Sequence, residues 1–323
     1  MNMTRPHLSG EIRERSRRGG FWMPGQKVTG EAGTLLRGST WVEWESPVDP
    51  LADPVVFVHG GGGQGTDWLT TPDGRPGWAA EFVAAGHPVY VVDRPGHGRS
   101  RSHPDLDGPL TGSMPLEAVA RVFASSVGQG DEAGLDGIHD LVLHQLGASA
   151  GPRHRDLAEG NRRDADRLVE LLEMIGPAII VSHSLGALGS WVAASRRPRL
   201  VSALVAVEPP GPPFSTIPGV GRLDSGLAAI DPADVDTTVD DAWARSLSGV
   251  PIAVVTAPES PFRDGASRLA GYLVALGLDA EEQALEQHGL QGNGHGLILE
   301  SNSSSTAAVV LEWIATRRGH ASL

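Results

Sequence analysis

The chain has 323 residues, 40% of them hydrophobic, and a formal net charge of −13. That length suits one large domain carrying an insertion better than two independent domains, and the acidic balance argues against nucleic acid or an anionic membrane as partner. Cysteine is absent and Lys27 is the sole lysine, which excludes disulfides, thiolate metal sites, a cysteine nucleophile, Schiff-base chemistry and a lysine-dependent phosphate loop.

Residues 1–20 are polar and arginine-rich with no apolar stretch. They read as a tail, not as a secretory leader, and on that ground the chain is expected in the cytoplasm. No apolar run approaches the roughly 18 residues of a membrane span. Residues 21–28 and 39–45 are short apolar segments separated by Gly and Pro, the pattern of an antiparallel pair at a sheet edge. From residue 54 strands and helices alternate, which predicts a mainly parallel sheet flanked by helices, an α/β fold. The strand 54–58 runs into His59 and four glycines, Gly60 to Gly63. A helix over 78–85 precedes the strand 88–93, whose last residue Asp93 is followed by Arg94-Pro95-Gly96-His97-Gly98-Arg99-Ser100.

Ala165, Leu168, Leu171, Leu172 and Ile175 recur at helical spacing and predict a helix over 162–175. The apolar run 178–181 leads into Ser182-His183-Ser184-Leu185-Gly186, which opens a helical segment over 187–195. Strand, tight turn around a central serine, then helix is the nucleophile-elbow arrangement: the strained turn lifts the hydroxyl off the sheet, and small residues are needed two before and two after it. Here those are Ser182 and Gly186. Later strands are expected over 200–207, 250–256 and about 282–286, and later helices over 266–276 and 306–316. Two stretches are longer than ordinary connections: an insertion over about 103–160 and a cap region over about 209–248. Loops at the carboxyl ends of parallel strands surround the crevice, so at least one of the two is expected to cover substrate.

These motifs together resemble the alpha/beta-hydrolase superfamily, with its glycines after the third strand, its D-x-P-G-x-G-x-S turn after the fourth and its elbow after the fifth. The likeness continues into Val205-Ala206-Val207-Glu208-Pro209 and Gly292-Asn293-Gly294-His295 and spans nearly the whole chain. It is strongest toward bacterial carboxylic-ester hydrolases with a Ser-Glu-His triad whose glutamate follows strand six. The resemblance implies an alpha/beta-hydrolase fold with a lid, a small-molecule ester or lactone as substrate, and no cofactor or metal. A homodimer is compatible with it.

Acyl transfer by a serine hydroxyl needs a base within hydrogen-bond reach and a group to orient that base. Of twelve histidines, His295 sits among Gly292, Gly294 and Gly296 between the last strand and the final helix, where the superfamily base lies; His288 is the fallback. For the acid there are two candidates. Glu208 directly follows a buried strand and is fixed by two prolines, a costly place for an unpaired charge. Glu259 follows the next strand, where most superfamily members carry their acid. Gly61 or Gly62 and Leu185 are the candidate oxyanion donors. His59 is expected to hold the glycine loop, His183 to shape the pocket or pack beneath the elbow, and Trp68 to form a pocket wall. Gly60, Gly62 and Gly65 satisfy a dinucleotide-type glycine pattern, and His154-Arg155-Asp156-Leu157 a kinase-like one, but neither has the context its chemistry requires. His97, His103 and Asp105 read as a polar loop. The leading expectation is a serine hydrolase cleaving a carboxylic ester or lactone through an acyl-enzyme on Ser184. Thioesterase or carbon–carbon hydrolase activity with the same triad, and a non-catalytic small-molecule receptor, are the alternatives.

Overall fold

In the computed structural model, residues 16–31, 33–124, 136–211, 216–217, 221–222 and 246–318 are described. The strands are β1 (Ser16–Met23), β2 (Gln26–Gly30), β3 (Gly33–Arg37), β4 (Thr40–Pro47), β5 (Val55–Val58), β6 (Val89–Asp93), β7 (Ala178–His183), β8 (Val201–Val207), β9 (Thr216–Ile217), β10 (Gly221–Arg222), β11 (Ile252–Thr256) and β12 (Ala280–Ala284). The helices are α1 (Thr66–Leu69), α2 (Trp78–Ala84), α3 (Pro104–Asp107), α4 (Leu116–Val122), α5 (Asp136–Ser149), α6 (Leu157–Ile175), α7 (Gly186–Arg196), α8 (Arg263–Ala275) and α9 (Ser303–Arg318).

Eight strands form one sheet in the order β1-β4-β6-β5-β7-β8-β11-β12. From β6 to β12 every pairing is parallel, and β1 and β4 add an antiparallel edge. Helices cover both faces, which is why the central strands are apolar throughout instead of alternating. Val56, Ile180, Leu204 and Val254 point to one core with α6, α7 and α8; Phe57, Val181, Val205 and Val255 point to the other with α2 and α9.

The edge differs from its expected form. β1 begins at Ser16, inside the span read as a polar tail, and pairs with β4 from Ser16↔Pro47 to Met23↔Thr40. Its start reads as a tail because it is polar and arginine-rich, and its glycines serve packing: a Cβ at Gly20 would lie 2.3 Å from the Trp41 ring and one at Gly19 3.0 Å from Trp44. The strand stops at Pro24-Gly25, where Gly25 has φ 77°. Lys27 and Val28, expected on the same strand, instead form the separate β2–β3 hairpin.

The insertion over 103–160 contains α3, α4 and α5, and ends earlier than expected. Asp156 caps α6 by accepting the Glu159 N–H at 3.0 Å, so the helix starts five residues before Arg162. Most of the expected cap over 209–248 lies outside the described residues.

Candidate active site

β7 delivers His183 and Ser184 to the carboxyl edge of the sheet. The chain reverses there with Ser184 at φ 52°, and α7 begins at Gly186, where a Cβ would stand 2.3 Å from the His59 carbonyl oxygen. Only glycine lets the helix come that close. Ser182 takes the other small position because its buried hydroxyl donates to the Val205 carbonyl at 3.3 Å.

The expected partners converge on Ser184. His295 Nε2 lies 3.0 Å from Ser184 Oγ, and His295 Nδ1 lies 3.3 Å from Glu208 Oε2. Glu208 follows β8, is fully buried, and has φ 51°. Its carboxylate also accepts the Ala257 N–H at 2.6 Å and the Ser260 hydroxyl. Burial pushes the Glu208 carboxyl up to about 7, against the lowering by those two donors. Burial likewise pushes His295 down to about 3, which favours the neutral imidazole a general base requires.

The His295 loop is held from several sides. Gly292 turns it with φ 74°, Gly294 N–H donates to Glu300 Oε1 at 3.0 Å, and His183 Nε2–H donates to the His295 carbonyl at 2.8 Å. His183 thus supports the His295 loop, and it also borders the cavity above Ser184. The Phe262 ring sits 4.4 Å from the His295 ring and Phe123 5.8 Å.

The glycine loop faces the elbow. A Cβ at Gly61 would lie 2.4 Å from Leu185 Cδ1. The Gly60 carbonyl accepts His59 Nδ1–H at 2.9 Å and Arg94 Nη2–H at 2.7 Å. His59 is fixed in that tautomer because its Nε2 accepts the Arg94 N–H at 3.0 Å, as expected for the residue that holds this loop. Arg94 itself is buried and paired with Asp164 at 2.8 Å. Among the described residues neither the Gly61 nor the Leu185 N–H donates to a protein acceptor.

One expectation needs correction, and both fallback residues stand apart from the site. Trp68 is not a pocket wall: α1 tucks its indole into the core, fully buried, 4.7 Å from Phe57 and 5.7 Å from Trp78 between ring centroids. Glu259 makes no contact with His295; it is exposed, and its backbone N–H donates to the Asn293 carbonyl at 2.9 Å. β11 ends three residues earlier, so Glu259 has already left the sheet edge. The fallback base His288 is also exposed, at the end of a short turn after β12.

Ser260, Phe262, Arg94 and Asp164 had no expected role. Arg94 was visible inside the D-R-P-G turn, but Asp164 carries no signal, because it reads as one more polar residue of an amphipathic helix. Among the described residues no group of His and acidic side chains could hold a metal ion, and no helix is long and apolar enough to cross a membrane.

Ser184, His295 and Glu208 on the carboxyl edge of this sheet define the class, an α/β hydrolase. Residues 53–242 match the sequence model of the alpha/beta hydrolase fold family, and the chain belongs to that family. A probable secreted lipase, phiG, of a fungal species (strain ATCC 74256) is 30% identical over 305 residues, covering 84% of this chain and 83% of its own. An atomic-resolution structure of a bacterial esterase superposes with TM-score 0.74 and 21% identity, over 96% of this chain and 98% of that one. A study of two fungal esterases from Rhizomucor miehei supplies another match, with TM-score 0.51 and 14% identity over 97% of this chain and 86% of that one. The likeness to a lipase, together with the family match, supports a hydrolase, and the esterase structures share its fold. The likeness to the lipase also corrects the expected cytoplasmic location, since the lipase that matches across most of the chain is a probable secreted protein. The composition of the first twenty residues does not decide location, because export leaders are removed from mature chains.

Proposed function

We propose that this hydrolase cleaves a carboxylic ester or lactone through an acyl-enzyme on Ser184. The observation that carries the reading is the unbroken chain of contacts from Ser184 Oγ to His295 Nε2 at 3.0 Å and from His295 Nδ1 to Glu208 at 3.3 Å. His295 takes the hydroxyl proton as Ser184 attacks the carbonyl, then passes it to the leaving alcohol. Glu208 fixes the Nδ1–H tautomer and balances the imidazolium. Water activated by His295 then releases the acid.

The developing oxyanion is assigned to the Gly61 and Leu185 N–H groups. In a trans peptide the N–H points opposite to the preceding carbonyl. Arg94 and His59 draw the Gly60 carbonyl inward, and this supports a Gly61 N–H turned toward the elbow and favours Gly61 over Gly62. Similarity to the secreted lipase supports export of this chain as well.

A fluorophosphonate probe followed by peptide mass analysis tests the reading. Labelling of Ser184, with turnover of p-nitrophenyl esters or lactones, is expected. An inert serine and no turnover would instead match a receptor on the same fold.

A further inference from the structure

The cavity above Ser184, about 620 Å³, is lined by two arginines that the triad chemistry does not use, Arg153 and Arg121. Arg153 lies on the segment between α5 and α6. Its backbone is tied to Thr111, whose hydroxyl accepts the Arg153 N–H at 3.2 Å and whose N–H donates to the Arg153 carbonyl at 2.9 Å. Its side chain is half-buried, and among the described residues its guanidinium has no hydrogen bond or ion pair. Burial lowers its pKa, and repulsion from Arg94 lowers it further. Arg94 holds the Gly60 carbonyl beside the elbow, so the Arg153 charge is felt on the catalytic side of the cavity. Arg121, in the last turn of α4, is exposed and adds a second positive charge to the wall.

Much of the remaining wall is apolar, with Met114, Val119, Phe123, Leu146, Phe262 and Leu299. Among the described residues lining the cavity the acid is Asp67, and burial pushes its carboxyl up to about 7, so it opposes the arginines weakly. A guanidinium taken half out of water without a partner is unfavourable until an anion meets it, and its planar fork suits a carboxylate.

We propose that the substrate is an ester with an apolar body and a free carboxylate, and that Arg153 receives that carboxylate. This names the substrate class of the ester-hydrolase reading above and rests on it. Arg153 acts as a specificity residue, and Arg121 strengthens the field that draws the anion in.

The test compares half-esters of succinate, glutarate and adipate with neutral diesters of the same lengths. The wild-type enzyme is expected to favour the half-ester in kcat/KM at one chain length or more, with the preference falling as sodium chloride is added. Arg153→Gln should lower that ratio about tenfold to a hundredfold, the loss of one charged contact, and Arg153→Lys should retain part of it. A binding arm needs no turnover: by calorimetry, Ser184→Ala should bind the preferred half-ester more tightly than its diester, and adding Arg153→Gln should erase the difference. A wild-type ratio near one, or no difference in the binding arm, overturns the carboxylate subsite. Selective half-ester binding without fluorophosphonate labelling of Ser184 overturns the catalytic reading and leaves the subsite standing.

Discussion

Ser184 and Glu208 sit at matching places on neighbouring parallel strands, each one residue beyond the last rung, His183↔Val207. They are the two non-glycine residues with positive φ among the described residues, at 52° and 51°. Each is anchored through its N–H to the next strand: Ser184 to the Val207 carbonyl and Glu208 to the Val255 carbonyl, both at 2.9 Å. The sheet therefore turns two adjacent strands out of register-forming geometry in the same way, and His295 bridges the two side chains. Such backbone costs about 1–3 kcal/mol per residue and persists where surrounding structure enforces it.

That strain can be measured at the nucleophile. Ser184→Ala and Ser184→Gly both remove the hydroxyl, and both should lower kcat on the order of 10⁴-fold or more. Only glycine relaxes the left-handed turn. Ser184→Gly is expected to be about 1 kcal/mol more stable than Ser184→Ala in denaturant melts. Equal stabilities would mean that the turn is unstrained.

The two glutamates give a sharper comparison. Glu208→Gln removes the charge that fixes the His295 tautomer, and kcat should fall about 10²–10⁴-fold. Glu259→Gln should stay within about threefold of wild type, because that side chain is exposed and touches no member of the triad. Steady-state kinetics on one p-nitrophenyl ester decides it, and the reverse outcome would move the acid to the strand-seven position.

A pH profile follows from the same burial. Glu208 is pushed up to about 7 and His295 down to about 3, because a low-dielectric site disfavours both charged forms. The working state, with an ionised Glu208 and a neutral His295, is lost when the dyad takes up one proton. The acid limb of kcat/KM should therefore fall near pH 7 with a one-proton slope. In Glu208→Gln the raised group is gone and only the lowered imidazole remains. Its residual activity should persist to lower pH than wild type, with the limb below the ordinary histidine value of about 6.5. A limb that stays in place or moves upward in the variant would contradict this.

Arg94 and Asp164 form a buried pair whose proposed use is to aim the Gly60–Gly61 peptide. Arg94→Met leaves Asp164 buried without its counter-charge and should destabilise the fold by about 3–5 kcal/mol. Adding Asp164→Leu should recover much of the melting temperature. It should not recover kcat, which is expected to remain about 10-fold or more below wild type, because the Gly60 carbonyl is no longer held. Full recovery of both would reduce the pair to a structural role.

How much of the site was legible depended on whether its signal was local. Ser184 announces itself, since strand, small-x-Ser-x-small turn and helix are contiguous, and sterics at Gly186 demand that residue. Glu208 was legible for a related reason: an acid at the end of a fully apolar strand must be paired, and two prolines hold it there. His295 was marked by its glycines. Trp68 misled because a tryptophan after a flexible loop looks like a wall, whereas four-residue α1 turns it inward onto Phe57 and Trp78. The strand Ser16–Met23 was hidden because its start is polar and arginine-rich, and its glycines serve the indoles of β4, residues about twenty positions away in the chain.

The sequence by itself determined the alternation of strands and helices, the elbow and the candidates for base and acid, because hydrophobic period, backbone sterics and the burial cost of charge all act over short spans. Only the tertiary structure decided what contacts brought from distant segments could decide. It chose Glu208 over Glu259 by strand adjacency, since β8 lies beside β7 and ends at the same height. It brought Ser260 onto the Glu208 carboxylate across 52 residues and Asp164 onto Arg94 across 70. It also turned the 103–160 insertion back over the elbow, placing Arg153 in the same cavity as Ser184. Pairings of this kind depend on which strands neighbour one another, and no local pattern in the chain encodes that order.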